Sequence, residues 1–324
     1  MQTVIVALAI LVAHPEPEIP APVPALDLTQ TTSSTGVPGL ESAKLSEDIN
    51  WWGVGGWSTG IAAAVFFGGT RAWWDEGYEP FNVKDTGWLE RDTYSGGHDK
   101  IGHVFSAYAA THTMAYIYKS YGLSHRAAIW AAIGYNIFVM NGFEFVDGFT
   151  KYGFEYADSV ANTIGFGLSA LTWLYPSVYE SFGMRVGYFP SNDFLDNERS
   201  LIKFINDYTG QIYYFDFKLK GILSAMNVES SWAQYLVGGV AFSTNHYSPV
   251  RRHELRQRLW GGHIGLNTAE VFRTFSDSGK TSTVIRTLLN YYALPFLSVS
   301  VLKDLNDGPW YVNFGIANNF QVEF

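Results

Sequence analysis

The chain has 324 residues, of which 47% are hydrophobic, 17% aromatic and only 16% charged, with a formal net charge of −9 and no cysteine. The missing cysteine excludes disulfides, thiolate nucleophiles and Cys-ligated metals, and the acidic balance argues against a nucleic-acid partner, which calls for a basic face. A charged share well under the usual value of about 25%, together with 11 Trp and 20 Tyr, fits a surface that partly meets membrane lipid, because those rings favour the membrane–water interface.

Residues 1–13 read as a signal peptide. Their apolar core is too short to span a bilayer, and no basic residue precedes it. Residues 14–46 carry Pro15, Pro17, Pro20, Pro22 and Pro24 and then TQTTSSTG. That composition cannot bury a core and reads as a flexible linker. Four stretches of membrane length follow, at 51–74, 100–121, 125–145 and 158–179. Each offers roughly 20 residues, enough for about 30 Å of helix. The first has no charged residue from Val54 to Thr70 and has Trp pairs at both ends, as interfacial belts do. Segments such as AYAATHT and NTIGFGLSA are rich in small residues that let helix backbones approach closely. Residues 47–182 are therefore expected to form a bundle of about four apolar transmembrane helices. A buried soluble helical bundle and a half-inserted one are the alternatives.

After Pro176 the texture turns to alternation. Strands are expected at 211–219, 233–243, 260–266, 295–301 and 310–324, making 183–324 an antiparallel β-rich region. That is about five or six strands, fewer than the eight of a small membrane barrel, so a sheet packed beside the helices is expected. The fold class expected is α+β and membrane-associated. Arg251, Arg252, His253, Arg256 and Arg258 read as a solvated turn, with contact to headgroups or phosphate as the alternative.

The polar groups inside the helical stretches need an explanation, since an unpaired polar group in an apolar setting costs several kcal/mol. Asp99 and His103 are four apart, Glu144 and Asp147 three apart, Asp158 and Asn162 four apart, so each pair shares a helix face. If the helices alternate up and down, the three pairs meet at one end. Two readings stay open. Asp99, His103, Glu144, Asp147 and Asp158 could hold a divalent cation, and the same groups with Asn162 could run acid–base chemistry. Alternatively they cap helices and fix their packing, because Asp99 and Asp158 stand where acidic N-caps belong. His112, in mid-helix, reads as a packing histidine.

With HDKIGHVFSAY and then FEFVDGFTKYGFEYADSVANTIG, the chain resembles a bacterial family of predicted periplasmic lipoproteins. The likeness rests on Asp99, Lys100, His103, Glu144, Asp147, Gly148, Gly153, Asp158 and Asn162. A looser likeness, through Asp-Lys…His and Asn162-x-x-Gly165, is to the VanZ-like membrane family. The resemblance covers roughly residues 80 to 180 and implies a place in the bacterial cell envelope, on the periplasmic side or at the outer membrane. It implies no reaction. The lipobox cysteine of a lipoprotein is missing here.

Three functions compete. The first is an envelope structural or assembly component acting within a protein complex, favoured by the lack of a recognisable nucleophile. The second is a metal-assisted hydrolase or transferase acting on envelope lipid or glycan. The third is a small pore built from the C-terminal strands.

Overall fold

The computed structural model describes residues 49–72, 74, 77–197, 203–276, 279–315 and 321–323. The signal-peptide and linker expectations, at 1–13 and 14–46, lie outside them. Four long helices come first: α1 (Trp51–Ala72), α2 (His98–Ser120), α3 (His125–Asp147) and α4 (Tyr156–Leu174). Ser124 starts α3 by accepting a hydrogen bond from the Ala127 amide, the usual service of a serine N-cap. A π-helical turn, Ile137–Asn141, interrupts α3. Pro176 then opens the short α5 (Pro176–Ser181), at the position where a missing N–H costs nothing.

The strands follow as β1 (Phe182–Tyr188), β2 (Gln211–Lys218), β3 (Leu236–Asn245), β4 (Gln257–Leu266), β5 (Tyr292–Ala293), β6 (Ser298–Asp304), β7 (Trp310–Asn313) and β8 (Gln321–Glu323). The helices α6 (Asn192–Asn197), α7 (Leu219–Ala225), α8 (Thr268–Phe275) and α9 (Lys280–Leu289) stand between them. All strands form one eight-stranded sheet in the order β5-β1-β2-β3-β4-β6-β7-β8. Every pairing is antiparallel except that of β1 with β5. The sheet thus has more strands than expected: β1 and β5 are additions, and the expected strand at 310–324 holds two, β7 and β8.

The helix α2 is the keel of the fold. On one side Val104, Phe105 and Tyr108 pack on Met184, Val186 and Tyr213 of the sheet. On the other, Met114, Ile117 and Tyr118 join Ala128, Ile129 and Ala132 of α3 and Trp173 of α4. This overturns the expected membrane-associated bundle of about four apolar helices. Among the described residues one helix, His125–Asp147, is long and apolar enough to cross a membrane. α2 is buried along nearly all its length, Lys100, His103, Thr111 and His112 included. Its small and apolar residues serve protein neighbours, not lipid, and a core helix and a span share the same composition.

The face of the sheet turned away from α2 closes on itself. Ala293 of β5, Ile212 and Tyr214 of β2, Ala241 of β3, Leu259 of β4, Leu302 of β6 and Tyr311 of β7 form a single buried cluster. Only a curled sheet brings strands so far apart in order into one core. Hydrogen bonds cross the hollow: Ser298 Oγ donates to Tyr214 Oη at 3.1 Å, and Gln257 Nε2 donates to Tyr311 Oη at 2.6 Å. The basic run is pinned rather than loose, with Arg251 over the Tyr94 ring, Arg256 over Tyr247, and Arg258 donating to Asn306.

Candidate functional site

The starts of α2 and α4 and the end of α3 meet at one end of the helical layer. Gly165 makes the crossing close: a Cβ there would stand 2.3 Å from the Val104 carbonyl oxygen. The short approach lets Asn162, one turn earlier on α4, reach His103 on α2. Its amide donates to Asn141 Oδ1 at 3.3 Å, so its Oδ1 is the atom that meets His103 Nδ1, at 3.1 Å. Nδ1 is thereby a donor to Asn162, and Nε2 is turned toward the carboxylates. The π-helical turn of α3 supplies Asn141 and rephases the helix so that Glu144, a turn later, faces His103 with Oε1 3.7 Å from Nδ1. Such turns concentrate at functional positions.

His103 Nε2 points between two carboxylates, 3.7 Å from Asp99 Oδ1 and 3.7 Å from Asp158 Oδ1. These three residues each offer a ligand atom, all within 4.8 Å of one another. Beside them lies Lys100, whose Nζ is 2.6 Å from Asp158 Oδ1, 2.5 Å from Glu155 Oε1 and 3.1 Å from Asp99 Oδ2. Thr86, from the segment that crosses the helix ends, donates to Glu155. Asp147 stands at the edge and accepts a 2.5 Å bond from the Trp74 indole. From the sheet side Tyr208 donates to Asp99 Oδ1 at 3.5 Å. The Asp99 side chain is 24% exposed, against 4% for Lys100, 8% for Asp158 and 6% for Glu144. The cluster therefore opens to solvent at Asp99.

The charges do not balance: Asp99, Glu144, Asp147, Glu155 and Asp158 face one ammonium and one imidazole. Burial would discharge Lys100, but Asp99 and Asp158 hold it charged, above its usual range. Burial also pushes up the Asp99 carboxyl, yet Lys100 and His103 outweigh it and hold that group at about 2. Glu144, Asp147 and Asp158 go the other way. Burial, then repulsion from Asp158 and Asp147, pushes Glu144 well above the usual carboxylate range. Burial lifts Asp147 to about 7 despite the Trp74 bond, and lifts Asp158 to about 7 against the pull of His103. A cluster that must keep protons to stay neutral is one that a cation can enter.

Asp99, His103, Glu144, Asp158 and Asn162 thus surround one centre, with Asp147 at its border. Sequence reasoning missed Glu155 and the central place of Lys100. Glu155 is three residues before Asp158, the same spacing that drew attention to Glu144 and Asp147, so the signal was there. Tyr208 and Thr86 come from distant segments that no local pattern ties to the helices. His112 is a satisfied packing residue: Nδ1 meets Tyr291 Oη at 2.8 Å, and Nε2 lies 3.1 Å from the Ser169 carbonyl and 3.0 Å from Thr172 Oγ1.

Residues 85–174, which carry α2, α3, α4 and the whole centre apart from Trp74 and Tyr208, match the model of the family described as predicted periplasmic lipoprotein (DUF2279). The match agrees with the resemblance read from the sequence and with a place in the bacterial cell envelope, on the periplasmic side or at the outer membrane. No curated protein and no solved structure matches the chain.

Proposed function

We propose that this envelope protein takes a divalent cation between Asp99, His103 and Asp158 and uses it for hydrolysis or group transfer on an envelope lipid or glycan. The observation that carries the reading is His103 Nε2 aimed between two carboxylate oxygens, with all three ligand atoms inside 4.8 Å. Two carboxylate oxygens and a ring nitrogen gather in this way at low cost only around a proton or a cation. A mixed imidazole and carboxylate set suits zinc, manganese or iron. The link from His103 Nδ1 to Asn162 Oδ1 is the second contact that orients a metal-bound histidine. A cation held there supplies a Lewis acid and lowers the pKa of a bound water. Asn162 fixes the ring of His103, Lys100 holds Asp158 and Glu155 in place, and protonated Glu144 or Asp147 is the acid that can hand a proton to a leaving oxygen. Asp99, at the solvent edge, is where substrate enters.

The test is turnover. The full chain is incubated with Mn²⁺, Zn²⁺ or Mg²⁺ and an envelope lipid extract, and headgroup release is followed against the His103→Gln and Asp158→Asn variants. Release that needs both the cation and these residues supports the reading. A chain that stays inactive and co-purifies with a stoichiometric partner overturns it in favour of an assembly role. That second reading has its own observation: the Lys100 ammonium bridges Asp99 and Glu155 with Asp158, and such a network also serves as a tie between α2 and α4.

A further inference from the structure

We infer that the outer face of β4, β6, β7 and β8 lies against the hydrocarbon of a lipid bilayer. In an antiparallel sheet of a water-soluble protein the apolar face turns to the core and the polar face to water. Here the outward face is apolar as well. The inward side chains of these strands mix Leu259, Leu302 and Tyr311 with His263, Ser298, Ser300, Asp304 and Asn313, all buried. The outward ones are Ile264 on β4, Val299 and Val301 on β6 and Val322 on β8, exposed by 59%, 41%, 42% and 58%.

Register makes these residues one patch. Ile264 stands opposite Val299, Gly262 opposite Val301, Val301 opposite Val312, and Val312 opposite Val322. No charged side chain interrupts that middle band. Charge and indole come together at one end instead: Trp260 pairs with Lys303, and Lys303 pairs with Trp310, the ammonium lying 5.9 Å from the Trp310 ring centre. Indoles with a snorkelling lysine mark the boundary between hydrocarbon and headgroups. At the other end of β6 stand exposed Phe296 and Leu297, with exposed Phe314 beyond β7. From Lys303 back to Ser298, where β6 begins, is five residues, or roughly 17 Å at the rise of a strand, and Phe296 and Leu297 lie in the turn before it. An apolar band edged by aromatic side chains is the pattern of strands that face lipid.

The same face of the sheet is covered by α2 over β1 and β2, where Met184, Val186 and Tyr213 meet Val104 and Phe105. The curled sheet therefore offers lipid only its β4–β8 flank. A protein partner would call for a rim of polar contacts around an apolar centre, whereas this band has indole and ammonium at one edge and rings and aliphatic side chains at the other. His263, Ser298, Ser300 and Asn313 of these strands lie inside the curl while the middle of the outer face carries no polar side chain, the alternation that strands facing lipid show. This assignment is independent of any cation in the helical centre.

The chain has no cysteine, so single-cysteine variants report one site each. Spin labels are placed on Ile264→Cys, Val299→Cys and Val301→Cys, with Asp92→Cys on an exposed loop as control, in the full chain bound to vesicles of phosphatidylethanolamine and phosphatidylglycerol. Collision with dissolved oxygen and with a water-soluble nickel chelate is then measured by electron paramagnetic resonance. Lipid contact predicts that the three face positions lose nickel collisions and keep oxygen collisions, while position 92 keeps nickel collisions. Nickel collisions that persist at the three positions show that the face stays in water, and overturn the inference. Loss of both collision partners there shows protein cover, a second copy or another chain, and overturns it equally. Near-wild-type circular dichroism of each labelled variant shows that the fold is retained.

Discussion

Two buried ionic clusters in this molecule differ in their charge balance. In the curled sheet, Arg185 donates to both oxygens of Asp216, at 2.5 and 3.1 Å, and its third donor reaches the Leu266 carbonyl at 3.1 Å. His263 Nε2 closes the group 3.2 Å from Asp216 Oδ1. One carboxylate meets one guanidinium, and neither side chain is more than 7% exposed. At the helix ends, five carboxyls meet one ammonium and one imidazole, beside an edge open to solvent. The first cluster balances one carboxylate against one guanidinium. The second holds more carboxyls than cationic groups, and the proposed cation site rests on that difference.

The sharpest break of the comparison is at the sheet. Asp216→Ala leaves the Arg185 guanidinium buried without its carboxylate and should cost roughly 3 to 5 kcal/mol in denaturant unfolding, with no response to added cations. A cost near zero there shows that the sheet network is not a closed pair. Lys100→Met at the helix ends removes the sole ammonium and should cost about 3 kcal/mol in cation-free protein. Unlike the sheet variant, it should be substantially restored by Mn²⁺, because the cation takes over the missing charge. If Mn²⁺ stabilises Asp216→Ala as much as Lys100→Met, the distinction between the clusters fails.

Gly165→Ala presses a methyl group toward the Val104 carbonyl and should cost about 1 to 3 kcal/mol by overpacking. It also parts Asn162 from His103, so cation affinity should fall with stability. Asn162→Leu tests that contact alone, and a loss of about 10-fold in Mn²⁺ affinity is expected for removal of a ring-orienting partner. The smallest effect belongs to His112, which is a member of neither cluster. Burial lowers its pKa to about 3, against the pull of the Ser169 carbonyl. A depressed folded value means that the unfolded chain binds the proton first. Stability from this residue is full above about pH 6.5 and drains away as pH falls toward 3. His112→Gln should flatten the acid limb of a stability–pH curve; an unchanged limb shows that His112 is not its source.

Much of the helical centre was legible because helical spacing is local. Asp99 with His103 and Asp158 with Asn162 share faces by their four-residue spacing, and charged side chains within apolar stretches stand out. Helix positions were legible for the same reason, but what surrounds them was not. The apolar residues of α2 suit a bilayer or a sheet equally, and only Met184, Val186 and Tyr213, far along the chain, decide between them. Strand β1 was missed because Gly183 and Gly187 blur its alternation. Strand β5 was missed because its two residues are strand only through their parallel pairing with Val186 and Gly187. The outward Ile264 of β4 and Val299 and Val301 of β6 show in the sequence as alternation, yet alternation does not say which side is the inside.

Whether the acid excess at the ends of α2, α3 and α4 holds a cation is decided by titrating Mn²⁺ into the cation-free full chain and following the free ion by electron paramagnetic resonance. Saturable binding of one ion per chain is expected, lost in His103→Gln and kept in His112→Gln. Absence of saturable binding, or binding that His103→Gln leaves unchanged, contradicts it.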